Sequence, residues 1–407
     1  MGRILPILVV MVLLVMCVIP STGSVKRETY KQISSRNTFY VGGSGPNNYT
    51  EIQEAIDNSS DGDTIFIYSG IYNESIFIDN TLILLGEDKN TTIIDGTDIS
   101  YNTIFVTANA DNMLISHLTI KNNQSDINGT GIYLVSDSNL ITQNVFMCWL
   151  GIRIEKYEGD VSCENEISHN YFDDSTGAWI FHSNHNLIHN NSYNRFVHMV
   201  RLVNSSNDVI RNNYGENGFL GVWSTSSKDS IIIENVFIDS SGGISLQYSS
   251  NFEIAYNIIR NVGNGITFHR EEGGHNIHHN IIEDCNTYAI YVDVTNDTKI
   301  HDNHIENNEY IMNLMGGMGN LIYNNNFLDN IRGAFFLDIR FHFYFINKNR
   351  WFNNFWDGFR VLPKPIFGFL IGGIYDSPWM LPWFQFDMIP AKTPHDIVLP
   401  DSMEEYL

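Results

Sequence analysis

Basic side chains are scarce in this chain. Lysine and arginine number 23 against 46 aspartates and glutamates, a formal charge of −23 at pH 7. So acidic a chain is a poor match for nucleic acid or an anionic membrane, and neither is expected as a partner. Cysteine is nearly absent, at four residues. Cys148 and Cys163 fall on successive repeats and could clasp the longest insertion if the compartment is oxidising. Cys285 is left over and reads as a buried apolar filler. Cys17 lies in the one long apolar run, Ile4 to Ile19, which only Pro6 interrupts. With Arg3 before it and Ser21-Thr22-Gly23-Ser24 after it, residues 1–24 have the layout of an export signal; a retained N-terminal anchor is the alternative. Elsewhere Val361 to Ile374 comes closest to such a run, but prolines and a lysine break it. Helical periodicity of useful length is missing from the repeats as well, which turns the reading towards strands.

What is abundant is asparagine in a fixed frame. Ile-x-x-Asn recurs with Asn144, Asn170, Asn191, Asn213, Asn235, Asn257, Asn280, Asn303, Asn325 and Asn349 as its asparagines. A repeat of this length marks a stacked architecture. Upstream of each repeat isoleucine comes a small residue and then apolar-x-apolar. Examples are Gly131-Ile132-Tyr133-Leu134, Gly151-Ile152-Arg153-Ile154 and Gly243-Ile244-Ser245-Leu246. The two-residue alternation predicts short strands with the apolar residues inward. One repeat cannot bury its own apolar face, so it must stack on its neighbours. The prediction is an all-β, right-handed, single-stranded parallel β-helix of about 13 coils, spaced roughly 4.8 Å apart. A buried Asn at one corner of each coil can donate to one neighbouring coil and accept from the other, a structural ladder.

The predicted organisation is residues 1–24 as signal or anchor and 25–62 as an N-terminal segment with a capping helix. Residues 63–356 hold the repeats and 357–407 an irregular aromatic C-terminal cap. The capping helix is predicted over Thr50 to Asn58, with Ile52, Ala55 and Ile56 as its apolar stripe. Asn-x-Ser/Thr sequons at Asn48, Asn58, Asn73, Asn90, Asn123, Asn128, Asn190, Asn204 and Asn296 are glycosylation acceptors if the chain is secreted.

Two stretches carry a resemblance. Phe39 to Asp57 (FYVGGSGPNNYTEIQEAID) and Asp61 to Tyr72 (DGDTIFIYSGIY) look like the opening of many secreted pectin-lyase-like β-helix proteins. The later repeats resemble those of the NosD-type family. Asn353 to Asp357 (NNFWD) and Pro390 to Ile397 (PAKTPHDI) are similar to the ending of archaeal relatives. The resemblance implies a surface or periplasmic β-helix. Its family name comes from an accessory protein of copper-enzyme maturation, and the wider group is associated with carbohydrate binding and sugar hydrolysis. Fold alone does not carry the activity over. No catalytic motif of pectate lyases, pectinesterases, polygalacturonases or alginate epimerases is matched.

On the strand after each small residue, the middle side chain must point outward. That column reads Tyr133, Arg153, Trp179, Arg201, Trp223, Ser245, Thr267 and Tyr291. The next outward column reads Val135, Glu155, Phe181, Val203, Thr225, Gln247, His269 and Asp293. Rings suit pyranose faces, and arginines suit uronate carboxylates or hydroxyls. The expected binding residues for a polysaccharide are therefore Tyr133, Arg153, Glu155, Trp179, Arg201, Trp223, Gln247 and Tyr291. A solvated sheet face with aromatics serving β-propensity is the plainer alternative. The catalytic candidates are His269, Arg270, Glu271 and Asp293. Glu271 or Glu272 with Asp293 could form an acid–base pair or hold Ca²⁺. His275, His278, His279, His301 and Asp302 fall on two adjacent coils and form the candidate copper or zinc set, with His304 nearby. The functional expectation is a secreted or cell-surface protein that binds, and could process, a glycan. The alternatives are a copper-accessory protein and a structural surface protein associated with the envelope.

Overall fold

In a computed structural model, residues 37–123, 129–156, 163–340, 349–358, 362–374 and 377–406 are described. The expected export segment lies outside them. Among the described residues thirty-nine short strands wind into a parallel β-solenoid and two longer ones follow it, and the thirteen strands of one face set the number of coils at thirteen. A middle coil shows the plan. Gly242–Gln247 lies on the first face, Glu253–Ala255 on the second and Ile258–Arg260 on the third. Each strand pairs in parallel with its counterparts one coil away, as Ile232 does with Ile254 and Ile254 with Ile277.

The repeat isoleucines Ile141 to Ile322 sit at the centre of second-face strands and are fully buried. The residue just before each ladder asparagine has a left-handed backbone, from Gln143 (φ 58°) through His279 (55°) and Asp302 (52°) to Asn353 (56°). One such residue turns the chain sharply from the second face to the third. Among non-glycine residues, Asn and Asp tolerate this conformation best.

The ladder asparagine closes the corner. Asn257 Oδ1 accepts the Asn235 backbone N–H and side-chain amide (3.0 and 3.1 Å), while its own Nδ2 donates to Ile232 O (2.9 Å) and Asn280 Oδ1 (3.0 Å). The same pattern runs from Asn144 to Asn325 and then to Asn354, not Asn349. Asn349 belongs to a second ladder, where it accepts from Asn320. The Ile346-x-x-Asn349 match is out of step because the last coil is 29 residues long, and Trp351 takes the place of the repeat isoleucine. Asp387 ends the main ladder by accepting from the Asn354 backbone and side chain and from Trp356 Nε1.

The recurrent glycine on the first face has a packing cause. A Cβ at Gly177 would stand 2.3 Å from Tyr193 Cε1, and one at Gly221 2.3 Å from Phe237 Cδ1. Large third-face side chains fill the lumen there, and Phe146, Phe172 and Tyr193 stack at 4.7 and 4.6 Å. In the coil between Gly177 and Gly221 the sizes are exchanged. Met199 takes the first-face position, and Gly215 on the third face leaves room for its sulfur.

Three expectations are corrected. Cys148, Cys163 and Cys285 are all buried and free, so Cys148 and Cys163 form no clasp. Val135 is buried just past the strand Thr130–Leu134 and is not part of an outward column. The C-terminal aromatic segment is regular: Lys364–Ile374 and Ser377–Asp387 form an antiparallel hairpin that continues the first face beyond the last coil. At the other end the helix Ile52–Asp57 buries Ile52, Ala55 and Ile56 over the first coil. No helix among the described residues is long and apolar enough to cross a membrane.

Candidate functional site

The first face carries the outward column in register: Tyr133, Arg153, Trp179, Arg201, Trp223, Ser245, Thr267 and Tyr291 lie one coil apart in turn. At its start rings and guanidinium groups alternate. Arg153 lies over Tyr133 (5.2 Å), and Arg201 lies between Trp179 (4.9 Å) and Trp223 (4.2 Å). Such contacts stabilise by about 0.5–2 kcal/mol each, more as water is excluded.

The two arginines differ in their neighbours. Arg153 donates from Nε and Nη2 to Glu155, which also accepts from the Tyr133 hydroxyl (3.0 Å). Arg201 has no carboxylate in ion-pair reach and no hydrogen bond among the described residues, and its Nε is buried without a partner. Lost hydration holds its pKa below the usual arginine value. Beside it stands His198, at the start of the strand His198–Val203 and 6% exposed. Its ring lies 5.1 Å from Trp223 and 6.3 Å from the exposed Phe219. Burial and then the Arg201 charge depress its pKa to about 4, so it is neutral at pH 7. Trp149 meets Trp179 edge-on at 5.2 Å. Glu155 neighbours Phe181 and Phe181 neighbours Val203 in the second column, so apolar groups flank Arg201 on that side.

Further along, Gln247 and Tyr291 are half-buried on the same face, and the His269 ring lies tilted against Tyr291 at 5.7 Å. The face ends at a cleft of about 510 Å³ lined by Tyr288, Tyr310, Asn313, Phe335, Lys364 and Phe367.

The catalytic candidates do not all meet. His269 and Asp293 are register neighbours on the outside. Arg270 is exposed in a left-handed turn and donates to the Tyr248 hydroxyl (3.2 Å). Glu271 turns inward: its side chain is fully buried and accepts the Ser249 N–H (2.8 Å), as the Ser249 and Ser227 hydroxyls accept the Ser227 and Ser205 N–H in the earlier coils. The wall thus separates Glu271 from Asp293. Glu272 stays exposed, 3.4 Å from the Ser250 hydroxyl.

The histidine candidates divide the same way. His275 is buried in the lumen, accepts the Phe252 N–H (3.2 Å) and lies 3.4 Å from Glu271. His278 and His301 lie outside with rings stacked at 5.1 Å, and His301 stacks in turn on Tyr323 at 4.7 Å. Their nitrogens are engaged: His278 with His279 and Glu253, His301 with Asp302 and Asn276. Burial, then His278, lowers the His279 pKa. Burial raises that of Asp302, but the His301 hydrogen bond and charge bring it below the ordinary value.

Against known families, a model described as periplasmic copper-binding protein (NosD) matches residues 151–313 and 200–354, together half of the chain. The chain belongs to the NosD family. No curated protein is similar to it in sequence. Among solved structures it is similar to a lacto-N-biosidase from Eubacterium ramulus, at 10% identity and a TM-score of 0.47, over 73% of this chain and 66% of that one. It is similar to a periplasmic alginate epimerase at 12% identity and TM-score 0.47, over 72% and 77% of the two chains. A hyperthermoactive exopolygalacturonase from Thermotoga maritima gives 9% identity and TM-score 0.46, over 83% and 89%.

The NosD description brings copper into question, and the donors can be tested. Copper(I) favours thiolate or thioether and copper(II) imidazole-rich sets. Burial pushes the thiols of Cys148, Cys163 and Cys285 upward in pKa, which opposes the thiolate form. Among the described residues, one group of three brings its donor atoms within 4.8 Å of one another: Glu283, His304 and Glu306. It holds a single imidazole, and Glu283 is already paired with Arg260 at 2.9 Å. These residues do not make a copper-type donor set.

Two features escaped sequence reading. His198 stands 22 residues from both Thr176 and Leu220, so counting coils would have put it at the strand start beside Trp179 and Trp223. The inward turn of Glu271 was signalled by Ser205, Ser227 and Ser249 at the same spacing.

Proposed function

We propose that this chain is an extracytoplasmic β-helix protein that binds an extended glycan along the outer surface of its first face. The observation that carries the reading is the alternation of Tyr133, Arg153, Trp179, Arg201 and Trp223 on one open parallel face. Flat rings offer apolar contact to sugar faces, and guanidinium groups between them offer donors to hydroxyl or acidic groups. The column spans four coil steps, ~19 Å at the spacing of paired strands. An extended chain can follow it without bending. Gln247 and Tyr291 continue the track towards the terminal cleft, while Thr267 between them is buried and donates to Ile244 O. The family's description as periplasmic supports a location where glycans are met.

The test is to incubate the protein with a panel of neutral and acidic polysaccharides, with and without Ca²⁺, following binding and chain shortening together. At least one polymer is expected to bind, with loss of about tenfold or more in affinity for the Trp179→Ala, Trp223→Ala double variant. Stacking rings of this kind contribute on the order of 1 kcal/mol each beyond their burial. A double variant that is folded and retains full affinity would overturn the reading. Chain shortening would add an activity to it and direct mutagenesis to His269, Arg270 and Asp293.

A further inference from the structure

The arginine at the middle of the column lacks the counter-ion that its neighbour two coils away has. Arg153 is neutralised by Glu155, two residues along the same strand. The equivalent neighbour of Arg201 is Val203, which lies in register with Phe181 and, through it, with Glu155. On the five strands Thr176–Phe181, His198–Val203, Leu220–Thr225, Gly242–Gln247 and Asn264–His269 there is no aspartate or glutamate. This occurs in a chain where acidic residues outnumber basic ones two to one. Arg201 is half-buried between two indoles, and His198 beside it is more than nine-tenths buried with an unpartnered Nδ1. A partly desolvated cation without a counter-charge is unfavourable unless something else supplies one. Ring faces offset part of that cost and leave the edge of the guanidinium plane unused. The planar fork suits two oxygens of one acidic group.

We propose that Arg201 is the receptor for an acidic group, so that the sugar unit held at Trp179 and Trp223 carries a carboxylate or a sulfate. This rests on the glycan reading above and narrows it to anionic polymers. His198, neutral in this setting, adds no competing charge and can offer a hydrogen bond from its imidazole. The chain as a whole is acidic, and these five strands carry none of its carboxylates, so repulsion of an anionic chain is lessened here.

The experiment compares three probes: polygalacturonate, the same polymer after chemical reduction of its carboxyl groups, and a sulfated galactan. Each is titrated into the wild-type protein and into Arg201→Gln, Arg201→Lys and Val203→Glu. The last variant recreates at Arg201 the pairing found at Arg153, and it leaves the arginine and both tryptophans in place. It therefore remains informative if Arg201→Gln loosens the stack, and thermal melts check the folding of all three. The wild type is expected to bind at least one acidic polymer tenfold or more tighter than the reduced one. Val203→Glu and Arg201→Gln are expected to abolish that preference, and Arg201→Lys to keep part of it. The polymer that shows the Arg201-dependent preference distinguishes carboxylate from sulfate. Equal binding of acidic and reduced polymers, or an undiminished preference in folded Val203→Glu, overturns the proposal while leaving glycan binding intact. Binding of none of the three alongside binding of a neutral polymer overturns it as well. If no polymer of any kind binds, the glycan reading itself falls and this proposal with it.

Discussion

At the scale of single residues, Asp208 makes the sharpest prediction. It occupies a rung of the second ladder, where Asn139, Asn165 and Asn186 precede it. Its Oδ1 accepts the Asn186 N–H and side-chain amide, both at 2.9 Å, but its buried Oδ2 has no partner. Burial raises its pKa to about 7, outweighing the hydrogen bonds from Asn186. In the neutral form Oδ2 carries a proton and can donate as an asparagine amide would. The folded state then binds more protons than the unfolded state between the ordinary aspartate value and about 7. Stability should fall as pH rises through that window and level off above it. The scale is a few kcal/mol at most, at about 1.4 kcal/mol per unit. Asp208→Asn is expected to raise the melting temperature at pH 8 and to leave it nearly unchanged near pH 4. Equal melting temperatures for variant and wild type at both pH values would contradict this. Single residues were also where sequence reading was weakest. Whether Glu271 points in or out depends on its phase against Ser249, and the local run of charges around it concealed that phase.

At the scale of the repeating element, corner and wall are separate devices. Asn257→Ala would leave the Asn235 backbone N–H and the Ile232 carbonyl without their side-chain partners in a dry corner. Unmade buried hydrogen bonds cost about 1–3 kcal/mol each. A drop of several degrees in melting temperature is expected, whereas Asn286→Ala, at an exposed site outside the left-handed region, should barely matter. The size exchange between Met199 and Gly215 gives a second test. Gly215→Phe restores the aromatic found at Tyr193 and Phe237 but collides with Met199, whose sulfur would lie 2.3 Å from the new Cβ. Gly215→Phe alone should destabilise strongly, and adding Met199→Gly should recover much of the loss, read as coupling in a double-mutant cycle. Additive effects would contradict the packing account. Elements were the most legible level of the sequence, because each pairs with its own copy a fixed number of residues away. Legibility failed where that number changed: the 29-residue step from Asn325 to Asn354 let Asn349 pass for a rung.

At the scale of the whole molecule, a solenoid must close its ends, because open strand edges recruit other chains. The helix Ile52–Asp57 serves the start, and the hairpin from Lys364 to Asp387 serves the finish, with Asp387 as the last acceptor of the asparagine ladder. Removal of residues 357–407 would strip Asn354 and Trp356 of that acceptor and uncover the last coil. Such a truncated protein is expected to self-associate on size exclusion where the full chain does not, and a monodisperse truncated monomer would contradict this. The sequence announced the stacked coils and their outer column clearly. It did not announce the hairpin, because prolines at Pro365 and Pro382 and the dense aromatic residues disguise two paired strands. The functional claim belongs to this scale too, since the track is built from many coils. It is tested most directly by following tryptophan fluorescence while glycan fragments of increasing length are added. The expected result is a saturable change whose affinity rises with length until the fragment covers the ~19 Å from Tyr133 to Trp223, and which disappears in the Trp179→Ala, Trp223→Ala variant. A single sugar binding as tightly as the polymer, or no response to any glycan, would contradict a binding track along this face.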